Sequence, residues 1–297
     1  MPSKNVLIRC DASSTLGTGH VMRDLVLATR FASDSVAFAT RPLEGNLDVQ
    51  IEKSGYKVHS LDTNSAEELG ALIGAHAIDL LIIDHYELGF RFEKTLKRAH
   101  PSLTIMVLDD TYEKHFCDIL LNHNIYAQKK RYKHLVPKGC LLQCGAKYTL
   151  LREEFLDTKE VAKNDTLLIA MGGADTQNLS LKILACLPED FSWHVHIITT
   201  HANKNLAQLQ KLANADPRMT LFIQTNEMAR LAKEARLAVI TPSVLANELY
   251  ALKTPFIAVQ TAKNQKYMRR FLKQKGYGVL KKFSCKKFKT LIKSHMP

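Results

Sequence analysis

The chain has 297 residues, 46% of them hydrophobic, and a formal net charge of +12 from 41 Lys and Arg against 29 Asp and Glu. This is a folded soluble composition, long enough for two domains of roughly 150 residues with a core each. No run of about 18 uncharged apolar residues occurs and the opening MPSKNVLIRC lacks the apolar stretch of a secretory signal, so no transmembrane helix is expected and the cytoplasm is the expected compartment.

In chain order, short apolar runs alternate with helical patterns. Strands are expected at NVLIRC (5–10), SVAFAT (35–40), KVHSL (57–61), DLLIIDH (79–85) and TIMVLDD (104–110), with helices beginning near His20, Glu44, Ser65 and Gly89. Such alternation builds βαβ units and a parallel sheet, and the unbroken LLII fits a strand covered on both faces. Shorter elements, CDILL and CLLQCG, precede REEFLDTKEVAKND (152–165), which has no apolar period and reads as a join. A second set follows: TLLIAMGG, WHVHIITT, MTLFIQT, LAVIT and PFIAVQ, with helices from about Asn178, Asn205, Asn226, Ser243 and Asn264. The expected fold is α/β, two doubly wound Rossmann-like domains at 1–156 and 157–297 with an interdomain cleft as the natural ligand site.

The positive charge asks for an anionic partner: nucleic acid, a membrane surface or a phosphorylated metabolite. No aromatic-plus-basic module supports nucleic acid. Much of the excess lies from Lys273 onward. That tail reads as a solvated helix, with Phe283, Phe288, Leu291 and Ile292 as an apolar side for weak contact with anionic lipid. The six cysteines are scattered through a chain too large to need disulfides, so reduced thiols are expected. Cys140 and Cys144 lack the second Cys or His pair of a zinc site, and no metal or cofactor is expected.

Ligands of open parallel sheets sit beyond the carboxyl ends of the strands. There stand DASSTLGTGH (11–20), DHYELG (84–89), the LDD of 108–110, MGGADTQN (171–178), TPSVLANEL (241–249) and QTAKNQ (260–265). In TPSVLANEL, Thr241 can cap, Pro242 suits a first helical turn, and the free N–H groups of a helix start favour phosphate. Glu248 either accepts hydrogen bonds from a ribose diol or is a solvated helix residue, and Gly172 and Gly173 either approach a ligand or only make a tight turn. LGTGH is half of a dinucleotide fingerprint, but His20 follows the second glycine and the third glycine is missing, which disfavours NAD. Gly17 and Gly19 would let backbone approach a substrate. A helix start disfavours the charged form of His20, and neutral imidazole is a competent base near pH 7 unless His20 is simply a cap or core residue.

DASSTLGTGHVMRDLVLA, LLIIDHY, CDILLN, YTLLREEF (148–155), MGGADTQNLS (171–180), NEL (247–249) and NQ (264–265) occur in an order that resembles the UDP-sugar hydrolases of pseudaminic acid biosynthesis, from about Val6 to Gly278. The resemblance implies a two-domain GT-B fold similar to MurG-like glycosyltransferases. It implies release of UDP from UDP-2,4-diacetamido-2,4,6-trideoxy-β-L-altropyranose by cleavage between the anomeric carbon and the phosphate oxygen, with inversion and without a metal. His20 is then the base that activates water, and Arg152 and Glu248 match positions that contact substrate, Glu248 on the UDP side. Where the family has a serine-rich lead into the helix, this chain has Thr241, Pro242 and Ser243; Pro242 has no N–H, so donors are expected from Ser243 and Val244.

On this reading Asp11 orients the imidazole or shares the water, unless it serves only the turn. Tyr86 and Asn264 contact substrate, with packing the alternative for Tyr86. The protein is expected to act as a monomer. Two other functions fit the same fold: a UDP-sugar-dependent glycosyltransferase, and a non-catalytic nucleotide-sugar binder.

Overall fold

The computed structural model describes residues 3–157, 159 and 161–296. It divides into two compact units, Met1–Leu150 and Leu151–Pro297. The division precedes the expected 156/157 because Phe155, inside the charged stretch, is fully buried and Arg152 is ion-paired to Glu248 within the second unit.

In the first unit, seven strands run parallel: β1 (Asn5–Cys10), β2 (Ser35–Thr40), β3 (Lys57–Ser60), β4 (Leu80–Asp84), β5 (Thr104–Leu108), β6 (Ile119–Asn122) and β7 (Leu141–Cys144). Their order is β3-β2-β1-β4-β5-β6-β7. Every residue of β4 is buried, as the unbroken apolar run required. Helices α1 (Gly19–Ala28), α2 (Asp48–Lys53), α3 (Ala66–Ala75) and α4 (Phe90–Ala99) connect the first strands. Helix α3 starts where Ser65 marks it: its hydroxyl accepts from Glu68 N–H, and Glu68 in turn accepts from the backbone of Asp62 and Thr63. Helix α2 starts later than the expected Glu44, because Gly45 turns the chain at φ 75° against the loop of Ser14, whose N–H donates to Glu44 C=O.

The second unit has the parallel strands β8 (Asn164–Ala170), β9 (His194–Thr199), β10 (Met219–Ile223), β11 (Ala235–Ile240), β12 (Phe256–Val259) and β13 (Gly278–Leu280), ordered β10-β9-β8-β11-β12-β13. Its helices are α5 (Leu179–Leu184), α6 (Leu206–Ala215), α7 (Met228–Glu234), α8 (Val244–Ala251), α9 (Lys266–Gln274) and α10 (Cys285–Lys293).

Strand order reverses at β1/β4 in one sheet and β8/β11 in the other. A crevice opens at such a point because the flanking connections leave on opposite faces. The loops flanking these points are 11–18 and 85–89 in the first unit, and 171–178 and 241–243 in the second.

Two expectations are corrected. The tail is part of the second unit: α10 buries Phe288 and Ile292 completely, with Phe283 and Leu291 packed on the same core. The apolar side offered to lipid is therefore spent inside, and Lys286, Lys287 and Lys289 are among the residues that face solvent. Not all six thiols are free, either, since Cys186 and Cys285 form a disulfide between the end of α5 and the start of α10. Cys140, just before β7, lies against Cys117, just before β6, Sγ to Sγ 3.7 Å.

Candidate active site

In the first unit a pocket of about 360 Å³ opens beside the β1/β4 switch, lined by Asp11, the 13–16 loop, His20, Arg41, His85 and Tyr86 among others. Helix α1 supplies His20 at its second position. It also turns Arg23 and Asp24, three and four residues on, towards the interior, where they are 5% and 0% exposed. Charged groups on the buried face of a helix must find partners there. Arg23 grips Asp84 at the end of β4, Nε to Oδ2 at 2.5 Å and Nη2 to Oδ1, and reaches Asp110 Oδ2 at 3.3 Å.

His20 Nδ1 lies 4.0 Å from Asp84 Oδ1, and the Tyr86 ring meets the imidazole edge-on at 4.8 Å between centroids. Burial disfavours the imidazolium and lowers the His20 pKa below its ordinary 6.5, against the pull of Asp84 and with help from Arg23. Burial would raise Asp84, but Arg23 and His20 outweigh it and hold that carboxyl at about 2. The Tyr86 hydroxyl donates to Asp110 at 3.0 and 3.1 Å.

The Asp11 carboxylate is held by partners other than His20. It accepts from Arg9 at 2.6 and 2.9 Å, from Arg41 N–H at 2.8 Å and from His85 Nε2 at 3.1 Å. Glu87 N–H donates to His85 Nδ1, so the proton of neutral His85 sits on Nε2 and points to Asp11. Burial pushes the Asp11 pKa up, but His85 and Arg9 hold it far below the usual carboxylate range. The expectation that Asp11 orients the imidazole gives way because its carboxylate is taken up by Arg9, Arg41 N–H and His85. Asp11 remains a fixed anion on the pocket wall.

Gly17 has φ 83° and closes a turn with its N–H on Ser13 C=O; at both Gly17 and Gly19 an added Cβ would meet open space. Beneath the site lie Asp24 and His123, whose oxygens and ring nitrogens have no hydrogen-bond partner among the described residues. Burial disfavours the charged form of both, raising the Asp24 pKa and lowering that of His123 to about 3.

In the second unit, Gly172 takes φ 86° after β8, and a Cβ on Gly173 would come within 2.8 Å of Thr200 Cγ2. The start of α5 is already satisfied, as Asp175 accepts from Leu179 and Ser180 N–H at 2.8 Å each. That of α8 is different. Ser243, rather than Thr241, is its N-cap residue, and it makes no side-chain cap bond; its hydroxyl lies 3.0 Å from that of Thr241. Ser243 N–H, expected as a donor, is spent on Thr241 C=O at 2.8 Å, which leaves the hydroxyl and the first turn from Val244. Glu248 is buried rather than solvated and is held bidentately by Arg152 at 2.8 and 3.0 Å. Burial raises the Glu248 pKa, opposed by Arg152. Asn264 sits exposed in the loop after β12, where Gln265 Oε1 accepts from Thr261 N–H.

Arg9, Arg23, Arg41, Asp84, His85 and Asp110 are thus site residues that sequence reading left without a role. The signal for Arg23 was available: three residues after His20, on the apolar face of an amphipathic helix, a guanidinium has to be paired.

The fold is shared with glycosyltransferases of the GT-B type. MurG of Acinetobacter baumannii aligns with a TM-score of 0.64 at 13% identity, over 99% of this chain and 91% of that one. The glycosyltransferase of kitacinnamycin aligns with a TM-score of 0.67 at 11% identity, over 99% and 91%. In sequence, the chain is 41% identical over 280 residues to the UDP-2,4-diacetamido-2,4,6-trideoxy-β-L-altropyranose hydrolase of Campylobacter jejuni, covering 94% of this chain and 99% of that protein. It is 26% identical over 269 residues to the uncharacterized protein MJ1062 of Methanocaldococcus jannaschii, covering 86% of this chain and 55% of that protein. No protein-family model matches. The chain belongs to the family of the UDP-2,4-diacetamido-2,4,6-trideoxy-β-L-altropyranose hydrolases.

Proposed function

We propose that this protein hydrolyses UDP-2,4-diacetamido-2,4,6-trideoxy-β-L-altropyranose to UDP and the free sugar by single displacement at the anomeric carbon. Water loses a proton to His20 as its oxygen bonds to that carbon on the face away from UDP. The bond from carbon to phosphate oxygen breaks, and the electron pair leaves with UDP. One displacement inverts the anomeric centre. The observation that carries this reading is His20: in a chain of this hydrolase family, it lines the pocket beside the β1/β4 switch with its charged form disfavoured.

UDP is assigned to the second unit. The start of α8 would take phosphate at the Ser243 hydroxyl and Val244 N–H, beside the turn at Gly172 and Gly173, and Glu248 and Arg152 would serve the nucleotide. Tyr86 and Asn264 are assigned to the sugar. Glu248→Ala should weaken UDP binding by about 1 to 3 kcal/mol in calorimetry, the loss expected of a charged hydrogen-bond partner; unchanged affinity removes Glu248 from the nucleotide site.

Fold alone is equally compatible with transfer of the sugar to an acceptor. Incubation without an acceptor should give UDP and free sugar in equal amounts, and turnover should persist in excess EDTA. In heavy-oxygen water the label should enter the sugar and not UDP. Label in UDP would mean attack at phosphorus, and an absolute need for an acceptor would mean a transferase; either overturns the reading.

A further inference from the structure

We propose that Asp84 is the positioning residue of His20, holding the imidazole with its proton on Nδ1 and leaving Nε2 to take the proton from water. The inference rests on the reading of His20 as the base and assigns the group that sets its tautomer.

The contacts form a closed ring. Starting at His20, they run to Asp84 Oδ1 at 4.0 Å, through the two-pronged Arg23 pair, to Asp110 Oδ2 at 3.3 Å, to the Tyr86 hydroxyl at 3.0 Å, and back to His20 by the 4.8 Å ring contact. Two members, His20 and Arg23, are one helical turn apart on α1, and Asp84 is the last residue of β4. The ring therefore ties the two elements that flank the switch point. Tyr86 packs against the imidazole while its hydroxyl is tied to Asp110, so rotation of either ring disturbs the circuit.

The other carboxylates near the pocket do not compete for Nδ1. Asp11 is filled by Arg9, Arg41 N–H and His85. Asp24 is wholly buried and, among the described residues, makes no ion pair with His20, and burial raises its pKa. Asp110 faces Tyr86 and Arg23. Asp84 alone combines an ionised carboxylate with proximity to Nδ1, and a carboxylate oxygen has a second lone pair after Arg23 has used one. At 4.0 Å the pair is longer than a hydrogen bond. Catalytic hydrogen bonds are often long without substrate and tighten in the substrate complex. Arg23 prevents Asp84 from taking the proton itself: it stabilises the carboxylate, so the proton that His20 receives from water stays on the imidazole.

The first test uses the unaltered protein. Nitrogen-15 NMR of histidine-labelled full chain, with the His20 signals assigned by their loss in His20→Phe, should show the Nδ1–H tautomer above the His20 pKa. A dominant Nε2–H tautomer, or an even mixture, overturns the proposal whatever the activity. The second uses Asp84→Asn, whose kcat should fall about 10- to 100-fold, the range seen when the partner that orients a metal-bound imidazole is removed, with KM within about twofold. The groups facing His20 are Asp84, Arg23, Asp110, His85, Tyr86 and, beneath it, His123. Of these the variant removes one negative charge, so the acid limb of kcat/KM should move to lower pH. A limb that stays in place, with or without a lower plateau, shows a structural role only. If Asp84→Asn does not fold, the tautomer measurement decides alone. If His20→Ala turns over normally, the base reading itself falls; if His20 is required but its proton is on Nε2, only the role of Asp84 falls.

Discussion

His20→Ala and His20→Phe should each lower UDP release by at least about 10²- to 10⁴-fold, the range a positioned general base contributes, while UDP affinity changes by less than about twofold. The separation is expected because His20 lies in the first unit and the groups assigned to UDP lie in the second. Loss of chemistry with retained binding is the signature of a group that acts in the transition state. The pH profile carries the same information. Burial lowers the His20 pKa, so the neutral base survives to lower pH, and the acid limb of kcat/KM should fall below the ordinary imidazole value of 6.5. Turnover in His20→Ala equal to the parent, or an acid limb above 6.5, would assign the proton transfer to another group.

The fold was legible in the sequence wherever one physical signal dominated. Apolar runs buried on both faces, such as that of β4, specify parallel strands without help from context, and Ser65 with Glu68 marks a helix start by local hydrogen bonding. His20 was legible because it interrupts a glycine-rich turn at a helix mouth. Its surroundings were not. Whether Asp11 or Asp84 faces it depends on which side of its strand each carboxylate leaves and where α1 sets Arg23, and neither is periodic in the sequence. The burial of Glu248 was illegible for a similar reason: its partner Arg152 is distant in sequence, so a buried ion pair looks like a solvated residue until the chain has folded. The tail was misread because four apolar residues among many lysines satisfy two patterns, a surface-lying helix and a helix closing a core. Its lysine-rich surface satisfies both.

That ambiguity leads to the second large effect. A chain ending at Leu280 should fail to form a stable second unit. It would lose α10, which places Phe288 and Ile292 at 0% exposure against the same core as Leu280 and Phe191, and with it the Cys186–Cys285 link. Deleting a buried aromatic and a buried aliphatic side chain costs about 2 to 5 kcal/mol each once the cavity is counted, against a total stability of about 5 to 15 kcal/mol for a domain. The truncated chain should therefore aggregate or melt far below the parent in calorimetry, and should lose UDP binding because β13 and the strands beside it lose their cover. Charge is separable from packing: Lys286, Lys287 and Lys289 are exposed, so replacing all three by Gln should change stability by no more than about 0.5 kcal/mol per site. If the truncated chain melts cooperatively near the parent temperature and still binds UDP, α10 is an appendage rather than a wall of the core. If the triple Gln variant is the one that fails, the lysines are structural and the solvated-face reading is wrong.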